Sequence, residues 1–179
     1  MKKKIIVSGP VLSRSGYGEM ARFALRALKQ HEDKFDIYTI PLNWGQTSWI
    51  YEDNEERRWI DSLINKTVMF LQQKDNQFDL YIHVGIPPEF KKKAPISISV
   101  NASIETDRVQ AEWIDVLNRE CDKVITISEH SKAVLENTKY SYIKNEMVLF
   151  TNNTDTYKAK NKGNGRHNRR IRYKQGLSY

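Results

Sequence analysis

Short runs of β-branched residues alternate with helical patterns along most of this chain, and this alternation restricts its fold more than any other feature. The apolar run 5–7 predicts a buried strand, and apolar residues three and four positions apart then predict an amphipathic helix over 19–30. Further strands are predicted at 35–42, 78–84, 96–100, 123–127 and 147–150, and further helices at 55–73, 109–119 and 133–137. The pattern predicts an α/β fold: a single Rossmann-like domain over residues 1–150, with an open, mostly parallel sheet and helices on both faces.

The positive charge of the chain is concentrated at its end. Its 29 Lys and Arg and 22 Asp and Glu give a net charge of +7, but no acidic residue follows Asp155, and eight basic residues lie between 158 and 174. Subtracting these eight leaves 21 bases against 22 acids in residues 1–157, so the basic character belongs to the tail. Because Ile171 and Leu177 are its only large aliphatic residues, the segment 151–179 is predicted to be a disordered basic tail.

Several classes of protein and site are excluded by the sequence. The apolar run after the basic start 1–4 is too short for a signal peptide, and no stretch approaches the roughly 20 apolar residues that span a bilayer. The single Cys121 excludes an internal disulfide, and no Cys and His cluster has the spacing of metal ligands. We therefore expect a cytoplasmic protein with no transmembrane segment, no bound metal and no resident cofactor.

The loop after the first predicted strand holds the first candidate site. Gly16, Tyr17 and Gly18 fit a G-x-G-x-x-A pattern, in which glycines let the backbone approach a phosphate at a helix N-terminus. The fit to a dinucleotide-binding loop is poor, because six residues separate Gly9 from Gly16 and the second predicted strand ends without an acid. A flexible turn into the helix is the alternative interpretation.

Two more candidates lie at the carboxyl ends of predicted strands, where α/β sheets bind ligands. His83 lies at the end of the strand 78–84, and it is either a structural residue or one that faces a ligand. Glu105 and Thr106 follow the strand 96–100. Two interpretations of these residues stay open. They form the polar rim of a site, or the segment simply caps the next helix, with Thr106 or Asp107 as the cap. If the two strands are neighbours, Glu105 lies near His83.

The next feature is a set of residues in a fixed order: 103–107, Glu112, Trp113, Asn118 and 121–132. In this order they resemble the N-terminal half of retaining glycosyltransferases with the GT-B fold. The helix start Ser128-x-x-Ser131-Lys132 is the most distinctive piece. The loop 15–18 looks like the first glycine-rich loop of the family, and His83 matches its sugar-facing histidine. The resemblance covers about residues 4–139.

The resemblance implies transfer of a sugar from a nucleotide-sugar donor to an acceptor, in a cleft between two Rossmann-like domains. In that family the first domain receives the acceptor, and the second domain binds most of the nucleotide and carries paired glutamates. His83 and Glu105 would then be catalytic residues. The expected ligand-binding residues are Gly16, Tyr17, Gly18 and Thr106.

The second domain of that family has no counterpart in the sequence after residue 140, and three interpretations of the tail stay open. The tail replaces the rest of a longer enzyme through a premature stop or frameshift, or it binds nucleic acid or another polyanion through its eight cations, or it is an inert solvated segment. The expected partners are a nucleotide-sugar donor, a sugar acceptor and a second domain or subunit. The alternative function is a non-catalytic binding module that uses the basic tail.

Overall fold

Strands and helices alternate in the structure as the sequence pattern predicts. The computed structural model describes residues 1–102 and 104–138 and, as backbone, 146–149, 160–161 and 171–172. Its sheet strands are β1 (Lys3–Gly9), β2 (Phe35–Pro41), β3 (Leu80–Val84), β4 (Ile96–Asn101), β5 (Lys123–Thr126) and β6 (Glu146–Leu149). Its helices are α1 (Gly16–Lys29), α2 (Glu55–Leu71), α3 (Ala111–Glu120) and α4 (Glu129–Glu136), with a 3₁₀ turn at Pro87–Glu89.

Within the described residues the six strands form one sheet in the order β2-β1-β3-β4-β5-β6. β1 runs parallel to both β2 and β3, and β5 runs parallel to β6. The predicted α/β class and open parallel sheet are therefore confirmed, and so is the last predicted strand. Contacts divide the chain into two compact units, Met1–Gly85 with Lys91–Ile98 and Ile86–Phe90 with Ser99–Tyr179.

In the first unit, β1 lies between β2 and β3. Ile5, Ile6 and Val7 are almost completely buried, which suits a strand that is paired on both edges and covered on both faces. The parallel register places Ser8 beside Ile40 on one side and beside His83 on the other. The carboxyl ends of these three strands therefore lie at one edge of the sheet.

Helices α1 and α2 cover opposite faces of this part of the sheet. Gly9 faces α1, because a Cβ at that position would lie 2.9 Å from the Cβ of Ala21. Tyr38 faces α2, with its ring centroid 4.8 Å from that of Phe70. Tyr38 is level with Ile6, which is three residues from Gly9 on β1 and so points to the other face. The predicted helices on both faces are thus present in the first unit.

The second unit is built on α3, β5 and α4. The apolar sides of both helices are buried, through Ile114 and Leu117 of α3 and Leu135 of α4. β5 pairs with β6, and α3 packs against the 3₁₀ turn. The burial follows the helical spacing that predicted these two elements.

The starts of α3 and α4 are capped differently. α3 begins at Ala111 with Gln110 as its N-cap and no side-chain capping bond, so the prediction of Thr106 or Asp107 as the cap is wrong. Ser128 caps α4, since its hydroxyl accepts a hydrogen bond from the Ser131 N–H.

The predicted tail lies largely outside the described residues. The structure describes Lys160–Asn161 (β7) and Ile171–Arg172 (β8) of the segment 151–179, and these pair antiparallel. Across the described part of the chain, no helix is long and apolar enough to cross a membrane.

Candidate functional site

The glycine-rich segment lies where expected, after the carboxyl end of β1, and its residues 16–18 form the first turn of α1. Ser15 is the N-cap of α1, and its hydroxyl accepts a hydrogen bond of 3.0 Å from the Gly18 N–H. A Cβ on Gly18 would lie 2.9 Å from the Pro10 carbonyl oxygen and closer still to that of Ser13. A Cβ on Gly16 would meet nothing within 4 Å. Packing therefore explains Gly18, whereas Gly16 faces open space.

A second loop, residues 42–50 after β2, lies directly beside this first loop. The Leu42 N–H donates to the Gly9 carbonyl, and the Ile50 N–H donates to the Leu12 carbonyl, each at 2.9 Å. Next to the second of these bonds, Ser13 and Trp49 form an isolated antiparallel bridge. The two loops form one rim at the carboxyl edge of β1 and β2.

Hydroxyl groups link the two loops. The Ser13 hydroxyl donates to Ser15 Oγ at 2.9 Å and lies 2.6 Å from the Thr47 hydroxyl. Thr47 in turn donates to the carbonyl of Trp44 at 2.8 Å. The ring of Trp44 also contacts the ring of Tyr17, with centroids 4.5 Å apart. The first turn of α1 is thereby tied to the tryptophan-bearing loop.

The rim encloses a pocket of about 270 Å³, to which the sequence analysis assigned no function. Its lining residues are Ser13, Leu42, Asn43, Trp44, Gly45, Thr47 and Trp49. Gly45 adopts φ +52°, a left-handed conformation that favours glycine, and so lets the loop turn over the pocket. The sequence contains one sign of this pocket: two tryptophans, Trp44 and Trp49, lie close together in a polar loop that follows a predicted strand.

Arg22 fixes the backbone of the first loop through hydrogen bonds from its side chain. Its side chain is buried, and Nη1 donates to the carbonyl oxygens of Val11 and Ser13, each at 2.9 Å. Nε and Nη2 of the same guanidinium donate to one carboxylate oxygen of Glu19. A charge from the second turn of α1 thus fixes the backbone of the loop that precedes the helix.

Arg22 also lines a second cavity, of about 260 Å³, which is highly charged. Its charged residues are Arg14, Glu19, Arg22, Arg26, Glu52, Glu56 and Arg57. Each of these arginines pairs with a carboxylate. Hydrogen bonds from Arg26 lower the pKa of both Glu19 and Glu56, so both carboxylates stay ionised near neutral pH. These paired charges stabilise the packing of α1 against the start of α2.

His83 is only 2% exposed. Its Nδ1 lies 3.2 Å from the Tyr81 hydroxyl, and in the sheet register it stands beside Ser8, one residue before the carboxyl end of β1. The structure therefore brings His83 to the same edge of the sheet as the glycine-rich loop. Its predicted contact with a sugar stays a prediction.

Glu105 and Thr106 belong to the second unit, in the segment between β4 and α3, and both are exposed. The Thr106 hydroxyl donates to the Arg108 carbonyl at 2.6 Å. This local bond shapes the turn and leaves the Glu105 carboxylate exposed at the surface. The predicted closeness of Glu105 and His83 stays a prediction.

The Ser128-x-x-Ser131-Lys132 segment has a structural explanation. Ser128 caps α4, and the Ser131 hydroxyl donates to the Ala102 carbonyl at 2.6 Å, which ties the helix to the end of β4. Lys132 is buried and lies 3.6 Å from the Glu136 carboxylate. These residues position α4 within the second unit.

The fold and this rim define an α/β protein with a candidate ligand site at the carboxyl ends of its strands. No family model matches the chain, and neither a curated protein nor a solved structure matches it. In the part of the chain that the structure describes, no group of three or more His, Cys, Asp or Glu residues is arranged to hold a metal ion.

Proposed function

We propose that this chain is the acceptor-side half of a retaining glycosyltransferase of the GT-B type, which transfers a sugar from a nucleotide-sugar donor to an acceptor. One observation carries the proposal. The first turn of α1, residues 16–18, follows β1, and His83 lies near the carboxyl end of the adjacent parallel strand β3, beside Ser8 in the register. Parallel α/β sheets bind ligands at this edge.

The proposal gives each residue a chemical task. Backbone amides at the start of α1, next to the open space over Gly16, would approach a donor phosphate or the acceptor, with Tyr17 and Gly18 completing the loop. His83 would donate a hydrogen bond to a sugar hydroxyl. Glu105 would orient the acceptor or stabilise developing charge, and Thr106 would help to bind the ligand. The donor is a substrate here, so the proposal includes no resident cofactor or metal.

A donor-binding domain with paired glutamates is a required partner of this half. It would come from a longer version of the chain or from a second subunit. We therefore expect nucleotide-sugar hydrolysis or transfer from the combined protein, and weak or no donor binding by residues 1–179 alone.

Calorimetry with a set of nucleotide sugars tests the proposal, on this chain and on a chain extended by the downstream coding sequence. We expect His83→Ala to lower turnover in the extended chain, and His31→Ala, which changes an exposed histidine beyond the other end of α1, to leave turnover unchanged. The proposal is wrong if the extended chain neither binds nor hydrolyses any donor and His83→Ala changes nothing.

A further inference from the structure

We propose that the pocket between the two loops, lined by Ser13, Leu42, Asn43, Trp44, Gly45, Thr47 and Trp49, binds one uncharged saccharide ring. This inference rests on the proposed function, to which it adds the size and charge of the acceptor group that is bound and the residues that recognise it. Three properties of the pocket carry it: its lack of charge, its aromatic walls and its polar groups.

None of the described residues that line this pocket is charged. The neighbouring cavity differs sharply, since four arginines and three glutamates line it. A phosphate or carboxylate in the uncharged pocket would lose its hydration without gaining a counter-charge, which costs several kcal/mol. The pocket therefore favours a neutral ligand, and it is unsuited to the diphosphate of a nucleotide-sugar donor.

Two tryptophans, Trp44 and Trp49, line the pocket. Trp44 is held in place by the ring of Tyr17, and Trp49 remains 43% exposed, so it offers aromatic surface to a ligand. The face of an aromatic ring carries partial negative charge and attracts weakly positive C–H groups. A pyranose ring presents such C–H groups on one face and hydroxyls around its edge, and it therefore complements a tryptophan wall.

Polar groups on the rim match the hydroxyls of such a ring. The Ser13 and Thr47 hydroxyls are fixed by their mutual contact. Among the described residues, the Asn43 side-chain amide and the indole N–H groups of Trp44 and Trp49 have no hydrogen-bond partner, and these three residues line the pocket. These groups supply both donors and acceptors, as a polyol requires.

The pocket volume limits the ligand to about one ring. At about 270 Å³ it falls just below the range of roughly 300–1,000 Å³ that is typical of sites for drug-sized molecules. A dinucleotide or an oligosaccharide would extend beyond it. We expect the terminal ring of an acceptor to enter and the rest of the acceptor to stay outside.

Saturation-transfer NMR and calorimetry on residues 1–179 test the inference, with methyl glucopyranoside, methyl galactopyranoside and methyl mannopyranoside as probes. We expect at least one glycoside to bind. Trp49→Ala should then weaken binding roughly tenfold, which corresponds to about 1.4 kcal/mol. Thr47→Val should also weaken glycoside binding. Trp59→Ala, which removes a tryptophan of α2 outside the pocket, should leave glycoside binding unchanged.

Uridine and adenosine provide the competing outcome, because a nucleobase also stacks on indole. Binding of a nucleoside but of none of the three glycosides, with dependence on Trp49, would overturn the inference. Equal effects of Trp49→Ala and Trp59→Ala would overturn it too. If Trp49→Ala lowers the unfolding midpoint, two other variants replace it in the binding test. These are Trp49→Phe, which keeps an aromatic ring, and Thr47→Val.

The outcomes separate this inference from the proposed function. Glycoside binding that depends on Trp49, together with an extended chain that transfers no sugar, would support the pocket and contradict the enzyme. Sugar transfer by the extended chain with an acceptor KM that Trp49→Ala does not change would support the enzyme and contradict the pocket.

Discussion

Two glycines in the first turn of α1 are separated by a single residue, yet different forces act on them. Gly18 is surrounded by the carbonyl groups of Pro10 and Ser13, so its missing side chain lets the loop close against the helix. Gly16 has no atom near its missing Cβ. A G-x-G pattern contains no information about packing, so the sequence predicts the same role for both glycines. The structure shows that only Gly18 is required by packing.

We expect Gly18→Ala to destabilise the protein by about 1–3 kcal/mol, since the new methyl group must displace backbone rather than a flexible side chain. Gly16→Ala is the matched control, and it should leave stability unchanged or slightly higher because alanine is the better helix former. Urea unfolding monitored by tryptophan fluorescence gives both values from shifts in the midpoint at constant slope. Equal losses for the two variants would show that the loop does not close on Gly18 as described.

The failure of Thr106 and Asp107 as helix caps has a cause at the same scale. Local pattern favoured a cap two or three residues before the apolar periodicity begins. In the structure, the Val109 N–H bonds instead to the hydroxyl of Thr138, 29 residues further along the chain, and α3 starts only at Ala111. A tertiary hydrogen bond satisfies a donor that the sequence pattern assigns to a local partner.

Among the elements, the connection between β1 and α1 depends on Arg22. Arg22→Met would leave two buried carbonyl oxygens, those of Val11 and Ser13, without their hydrogen-bond donor. We expect a loss of about 2–3 kcal/mol. Arg26→Met is the control, because the Arg26 side chain is 41% exposed and pairs only with carboxylates, so its loss should cost less than about 1 kcal/mol.

Thermal and urea unfolding of both variants measure this difference. The Arg22 variant should also weaken glycoside binding at the pocket, because Ser13 lines the pocket and loses its backbone support. A loss in the Arg26 variant as large as in the Arg22 variant would contradict the description of Arg22 as the residue that holds the loop.

The elements themselves were predictable, and the reason is periodicity. Buried strands and amphipathic helices repeat their apolar residues at spacings that a single sequence reveals, so the strands β1 to β6 and the helices α1 to α4 lie near their predicted positions. Helix α1 starts earlier than predicted. Its first turn contains Gly16 and Gly18 and has no apolar repeat, so the periodicity did not reveal that turn as helical. The pocket was not predicted for the same reason: the loop 42–50 has no periodicity, and its shape depends on hydrogen bonds to a loop some 30 residues earlier.

For the whole molecule, charge separates two parts of the chain. Residues 1–157 contain 21 bases and 22 acids, and the positive charge that remains lies in the tail. A near-neutral body with an uncharged pocket suits a neutral ligand, whereas any affinity for a polyanion has to come from the tail cations. The two candidate functions therefore depend on different segments and can be tested separately.

Deletion of residues 156–179 removes all eight tail cations and leaves every residue of the pocket in place. We expect the full chain to bind duplex DNA weakly, with a log–log salt slope no steeper than about −7, as expected if eight phosphates are neutralised. The shortened chain should show no salt-dependent binding, and its glycoside affinity and unfolding midpoint should equal those of the full chain. Fluorescence anisotropy over a range of salt concentrations measures the slope.

Two outcomes would contradict this separation. Loss of glycoside binding on deletion would mean that the tail takes part in the site. Strong DNA binding by the shortened chain would mean that the near-neutral body carries a nucleic-acid surface of its own.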